Sequence, residues 1–131
     1  MKEQLRAYLM ADAGIAALVG PRVTWVVRER KGEFPAIVLH QISGRRNYAM
    51  TAPSGVVEAR VQVDCWARSN KDATATGRAV NHALGGLRAE LDGVEIQGAF
   101  LELEQDLSEP GSPPNEQIHR VSMDFIVWHT E

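Results

Sequence analysis

Few residue types in this chain could do chemistry, and they are widely spaced. Glu102, Glu104 and Asp106 alternate with Leu101, Leu103 and Leu107, so a strand would turn all three acids to one face. Carboxylates that divide acid and base work need environments that push their pKa values apart, and a row of like neighbours offers none. The histidines form no metal motif. His119 and His129 stand ten residues apart on one strand stretch, roughly 33 Å at ~3.3 Å per residue, and His40 and His82 have no second ligand nearby in sequence. The single cysteine, Cys65, occupies an inward position of an alternating run. It reads as an inert packed thiol, and one cysteine excludes a disulfide framework or a cysteine-rich zinc site. Gly85-Gly86 falls in or at the end of a helical stretch, not between strand and helix where it would cradle phosphate. Phosphate-loop, dinucleotide, zinc-protease and nucleophile-elbow patterns are all missing. The expectation is therefore no enzyme: no catalytic, cofactor-binding or metal-binding residue, and no cofactor.

What stands out is apolar and cationic surface. Trp66, Trp128, Ile126 and Phe100 fall on the otherwise polar parity of their strands. One reading is a surface buried by a second protein; the other is a loop of the same chain, residues 43–55, folding over them. Arg45, Arg46 and Tyr48 in that segment form a second anchor-like group, since Arg and Tyr are favoured at interfaces. A solvated loop tip is the plain alternative.

The elements that must position these residues follow from periodicity. Apolar residues at three- and four-residue spacing predict a helix over 3–19, with Asp12 able to break it and cap a second piece, and Gly20-Pro21 ending it. Val23–Arg28 and Ala36–Ile42 predict a hairpin, and the aperiodic 43–55 a long loop. Val57 to Ala67 alternate with polar residues over the cleanest strand in the chain. Ser69 and Asp72 predict a capped start for a helix over about 71–91, with a narrow stripe from Ala73 to Leu91 built largely of small residues. Strands are predicted over 99–107, with an acidic outer face, and over 120–128, joined by a turn-rich loop at 108–116. The order predicts an α+β fold: a mostly antiparallel β-sheet with two helices packed on one face, a single domain over residues 1–131.

Composition agrees. A 131-residue chain can bury a core unaided, and 44% hydrophobic with 24% charged residues is ordinary for a globular protein. A net charge of −3 argues against a dedicated nucleic-acid binder. No run reaches the ~20 apolar residues of a membrane helix, so no membrane partner is expected. Glu3, Arg6 and Asp12 interrupt the N-terminal apolar run, which reads as a folded helix rather than an export signal.

Three segments carry a resemblance: AYLMADAGIAALVG-PRV, PSGVVEARVQVDCWA and HRVSMDFIVWH, with IQGAFLELEQDLSEP in the same character. They are similar to the small tail-completion proteins of long-tailed phages, prophages and gene transfer agents, the tail terminators or head–tail joining proteins. The resemblance implies an α+β structural protein without catalytic residues. It implies a homo-oligomeric ring, typically hexameric, on the head-proximal end of the tail tube. That ring would stop tube polymerisation, meet the head connector or neck, and let DNA pass through its lumen. The location implied is the neck or tail of a virion or phage-like particle assembled in a bacterial host's cytoplasm. A closed ring needs two unlike patches per subunit. Arg45, Arg46 and Tyr48 and the Trp66/Trp128 face, with Ile126 and Phe100, are the expected patches. Glu102, Glu104 and Asp106 are the expected lumen residues, either repelling phosphates or salt-bridged to Arg60, Arg68 and Arg120 across the sheet. The competing class is a ferredoxin-like ligand-binding module or small enzyme acting as a dimer, which fold alone would not exclude.

Overall fold

A computed structural model describes residues 1–26, 34–48, 53–110 and 117–130. The chain opens with helices α1 (Lys2–Ala11) and α2 (Ala13–Val19). The break between them is the one Asp12 predicts: its carboxylate accepts from the Ile15 N–H at 3.0 Å and caps α2. Leu5, Leu9, Ile15 and Val19 are buried, and the Arg6 guanidinium donates to the Val23 carbonyl at 2.7 Å, tying α1 to the first strand.

Strands β1 (Val23–Trp25), β2 (Ala36–Tyr48) and β3 (Pro53–Ala67) come next. Helix α3 (Asn70–Leu84) then precedes β4 (Ala89–Leu91), β5 (Val94–Pro110) and β6 (Gln117–Thr130). The strands form one six-stranded sheet in the order β1-β2-β3-β6-β5-β4. Three helices, not two, lie against it, because the first helical stretch divides at Asp12.

β1 and β2 are not the predicted hairpin. They pair in parallel, Val23 opposite Ile37, while every other pairing is antiparallel. β-branched composition marks a strand without giving its direction, and the connection from residue 26 to 35 is too long to dictate a tight turn.

The predicted loop over 43–55 is also mostly strand. β2 continues to Tyr48 and β3 begins at Pro53, with residues 49–52 outside the described part. Ser-Gly-Arg-Arg has little strand preference of its own, and the ladder offered by β3 overrides it. The helix expected to reach residue 91 stops at Leu84. A side chain at Gly85 would stand 2.7 Å from the Asn81 carbonyl, and Gly86 has φ +76, so the chain turns here into β4. Ser69 caps the other end of α3 as predicted, accepting from the Asp72 N–H at 3.1 Å. Strands β5 and β6 run longer than predicted at both ends.

The core lies between the helices and the two central strands. Ala59, Val61, Val63, Cys65 and Ala67 of β3, and Val121, Met123, Phe125 and Val127 of β6, all point into it, as their alternation predicts. α3 comes close to β6: a Cβ at Gly77 would lie 3.2 Å from a Val121 methyl. The Tyr8 hydroxyl donates to the Ala83 carbonyl at 2.9 Å and ties α1 to the end of α3.

Candidate functional site

The face of the sheet without helices carries the polar parity of β3 and β6. At its centre the charges are matched. Arg60 donates from Nη2 to both Glu102 carboxylate oxygens at 3.0 Å and from Nη1 to Asp124 at 3.5 Å. Asp64, 1% exposed, accepts from Gln62 Nε2 at 3.0 Å and from Arg120 Nη1 at 3.4 Å, with His40 Nε2 3.8 Å away. Buried carboxylates persist where donors converge like this.

The apolar residues predicted on this face divide. Trp66 is only 9% exposed, with the Arg120 guanidinium 4.9 Å above its ring, so its own chain covers it. Residues 43–55 are not the cover, being largely strand. Trp128 and Ile126 are half-buried, while Phe100 is 56% exposed with its ring folded over Gly98. Trp66 pairs with Arg120 and Trp128 with Glu58, eight positions apart along β3, which separates the two indoles by roughly 26 Å. They do not form one patch.

Each outer strand has two register shifts, and one in each overturns the predicted faces. In β2 the register shifts between Gln41 and Ser43. Thereafter Arg45 lies opposite Glu58, on the helix-free face, and Arg46 opposite Val57, on the helix side. The two arginines point to opposite faces and are not one cluster; the Tyr48 side chain lies outside the described residues. In β5 the register shifts between Leu101 and Leu103. Glu102 stays on the helix-free face, bound to Arg60, whereas Glu104 and Asp106 lie opposite Met123 and Val121, on the helix side. The acids therefore do not share a face. Of the cross-strand ion pairs predicted for them, Arg60 with Glu102 forms; Arg120 binds Asp64 instead, and Arg68 stacks on Phe34, 5.1 Å from the ring.

An extra residue in one strand leaves two consecutive side chains opposite one partner and flips everything beyond it. This moves Leu103 and Leu107 out of the predicted core row to 46% and 37% exposure, and leaves Ile42 at 53%. Parity alone does not find these residues, because L-E-L-E-Q-D-L keeps leucine at 101, 103 and 107 and breaks the alternation only at Gln105.

Chemistry elsewhere is sparse. Burial pushes the Cys65 thiol far above its ordinary value, with Asp64 and Glu104 adding to the shift. Among the described residues no cluster of three His, Cys, Asp or Glu could hold a metal ion, and no helix is long and apolar enough to cross a membrane. The grooves are open ones, such as that between α1 and the β4–β5 turn lined by Glu3, Gln4, Ala7, Tyr8, Leu91 and Asp92.

The model of one protein family, described as tail completion protein gp17, matches residues 3–130. No curated protein sequence matches. Among solved structures, a chain from the virion of a native gene transfer agent particle superposes with a TM-score of 0.70 at 22% identity, covering 97% of this chain and 95% of the other. At that identity the likeness establishes a shared fold. A second solved chain, at 10% identity and a TM-score of 0.49, carries no argument.

Proposed function

This chain belongs to the tail completion protein gp17 family, and from that membership we propose that it terminates a phage-type tail as a ring of identical copies. A tail-completion protein is a structural part of the particle. The finer role is a ring at the head-proximal end of the tail tube that blocks further tube subunits, meets the head connector and leaves a channel for DNA. What carries the reading is the family match, which spans residues 3–130.

The geometry supports it. A closed ring is built from heterologous contacts, so each copy must offer two unlike surfaces. The outer strands of this sheet are unlike: β2 carries Arg45 and Arg46, and β5 carries Glu102, Glu104 and Asp106. With helices on one face of the sheet, the other face is the one free to line a channel. Of the three acids first assigned to the lumen, only Glu102 lies on that face; Glu104 and Asp106 lie on the helix side. Carboxylates facing passing phosphates would keep them from adhering.

Deleting the gene tests the role. The expected result is DNA-filled heads without tails, together with tails of irregular or excessive length. Particles with normal tails would overturn it.

A further inference from the structure

The structure has two long strand edges that nothing in the described chain covers. On β5, strand β4 pairs only with Val94–Ile96, and the Gly86 N–H takes the Ala99 carbonyl at 2.7 Å. From Phe100 to Leu107 no described strand lies beside β5 on the side away from β6. On β2, strand β1 pairs only with Ile37–Leu39, and no described strand lies beside β2 from Gln41 to Arg45 on the side away from β3. Open edges are templates for another strand, and a protein that stays single keeps them short or covers them.

We propose that the open edge of β5 in one copy docks, antiparallel, on the open edge of β2 in a second copy of this chain. The proposal rests on the ring reading above and names the surfaces that would close the ring.

Four observations point to that one occupant. The first is where apolar surface remains. Among the described residues the large exposed apolar side chains are Ile42 on β2, Phe100, Leu103 and Leu107 on β5, and Val26 just past β1 beside β2. All of them flank the two open edges. The second is charge: the β5 edge is acidic and the β2 edge basic, so β5 against β5 repels while β5 against β2 attracts.

The third is agreement by face. If the sheet continues from copy to copy, its two faces continue as well. On the helix side Arg46 then meets the strand bearing Glu104 and Asp106; on the other side Arg45 meets the strand bearing Phe100, Glu102, Leu103 and Leu107. The bulges produce this match. Without them Arg45 and Arg46 would exchange faces, and so would Leu103 and Glu104. The fourth is direction. β2 is antiparallel to β3, β3 to β6 and β6 to β5, so β5 runs opposite to β2. Side by side in successive copies, the two strands form an antiparallel pair, the more stable kind. Such a contact is head-to-tail, and every copy spends one edge of each type.

The test uses two charge-reversed chains, Arg45→Glu with Arg46→Glu, and Glu104→Arg with Asp106→Arg. Self-association of each purified chain is read as mass against concentration, and cross-linked mass is read for chains recovered from particles of a complemented deletion strain. Thermal unfolding checks that each variant is folded. Each reversal alone should weaken association at least ~100-fold, since like charges brought together at an interface cost several kcal/mol. Mixing the two variants should restore it, because acid-edged and basic-edged copies can alternate. If either reversal fails to fold, Leu103→Ser with Leu107→Ser takes its place and should weaken association without added charge.

Association unchanged by both reversals would overturn the edge contact, as would loss without recovery on mixing. Wild-type chains recovered only as monomers, in solution and from cross-linked particles, would overturn it too. Failure of the terminator role is a separate result. It would appear as normal tails in the deletion strain, whatever the mass measurements give.

Discussion

The two central strands and the two outer strands obey the same pleat but different rules of reading. Along β3 and β6 every second residue from Val57 to Ala67 and from Val121 to Val127 is buried, without interruption. Along β2 and β5 the alternation holds for a few residues, then a bulge reverses it. A central strand is laddered on both sides and capped by α3, so an extra residue would break two ladders and put polar groups into the core. An outer strand has one ladder over much of its length, and there an extra residue costs little. Hydrophobic parity is therefore a reliable guide to facing only where both neighbours and a covering layer enforce it.

The largest effect expected from this contrast is Phe125→Ala against Leu103→Ala. Phe125 is fully buried in β6, and its truncation should cost ~3–5 kcal/mol of unfolding free energy. Leu103, which the sequence reads as the same kind of inward residue, should cost under ~1 kcal/mol by urea titration. Equal losses would mean that the β5 register has no bulge in solution.

Asp64→Ala should come next, at ~1–3 kcal/mol, because it strips a buried acceptor from Gln62 and Arg120. A loss near zero would show that the donors find other partners on that face.

Cys65 sharpens the core side of the comparison through pH. Its thiol pKa is raised in the fold, so its contribution is full below the unfolded value of 9.0 and is lost as pH rises beyond it. Wild type should therefore lose up to ~1.4 kcal/mol per pH unit above that value relative to Cys65→Ala. Parallel curves for the two chains would show that the thiol already ionises in the fold.

Glu102→Gln should have the smallest effect. An exposed ion pair at a bulge contributes little, and the unfolding midpoint should shift by no more than the error of the measurement at 0.15 M salt. A clear loss of stability would make the bulge itself dependent on Arg60.

The helix caps at Asp12 and Ser69, the inward rows of β3 and β6, and the resemblance to tail-completion proteins were all legible in the amino-acid order. These depend on contacts within a few residues, or on a repeat that a buried layer enforces over a whole strand. Three features were decided only by tertiary structure. The parallel partnership of β1 depends on a distant strand, and the docking of the end of α3 depends on β5, whose Ala99 carbonyl accepts from the Gly86 N–H. The third is the set of faces on which Arg45, Arg46, Leu103 and Glu104 emerge. The apolar alternation of Leu101 and Leu103 runs straight through the bulge between them, so it does not mark where the faces exchange. Only the neighbouring strand, by pairing with one residue and passing over the next, determines which side chains turn outward.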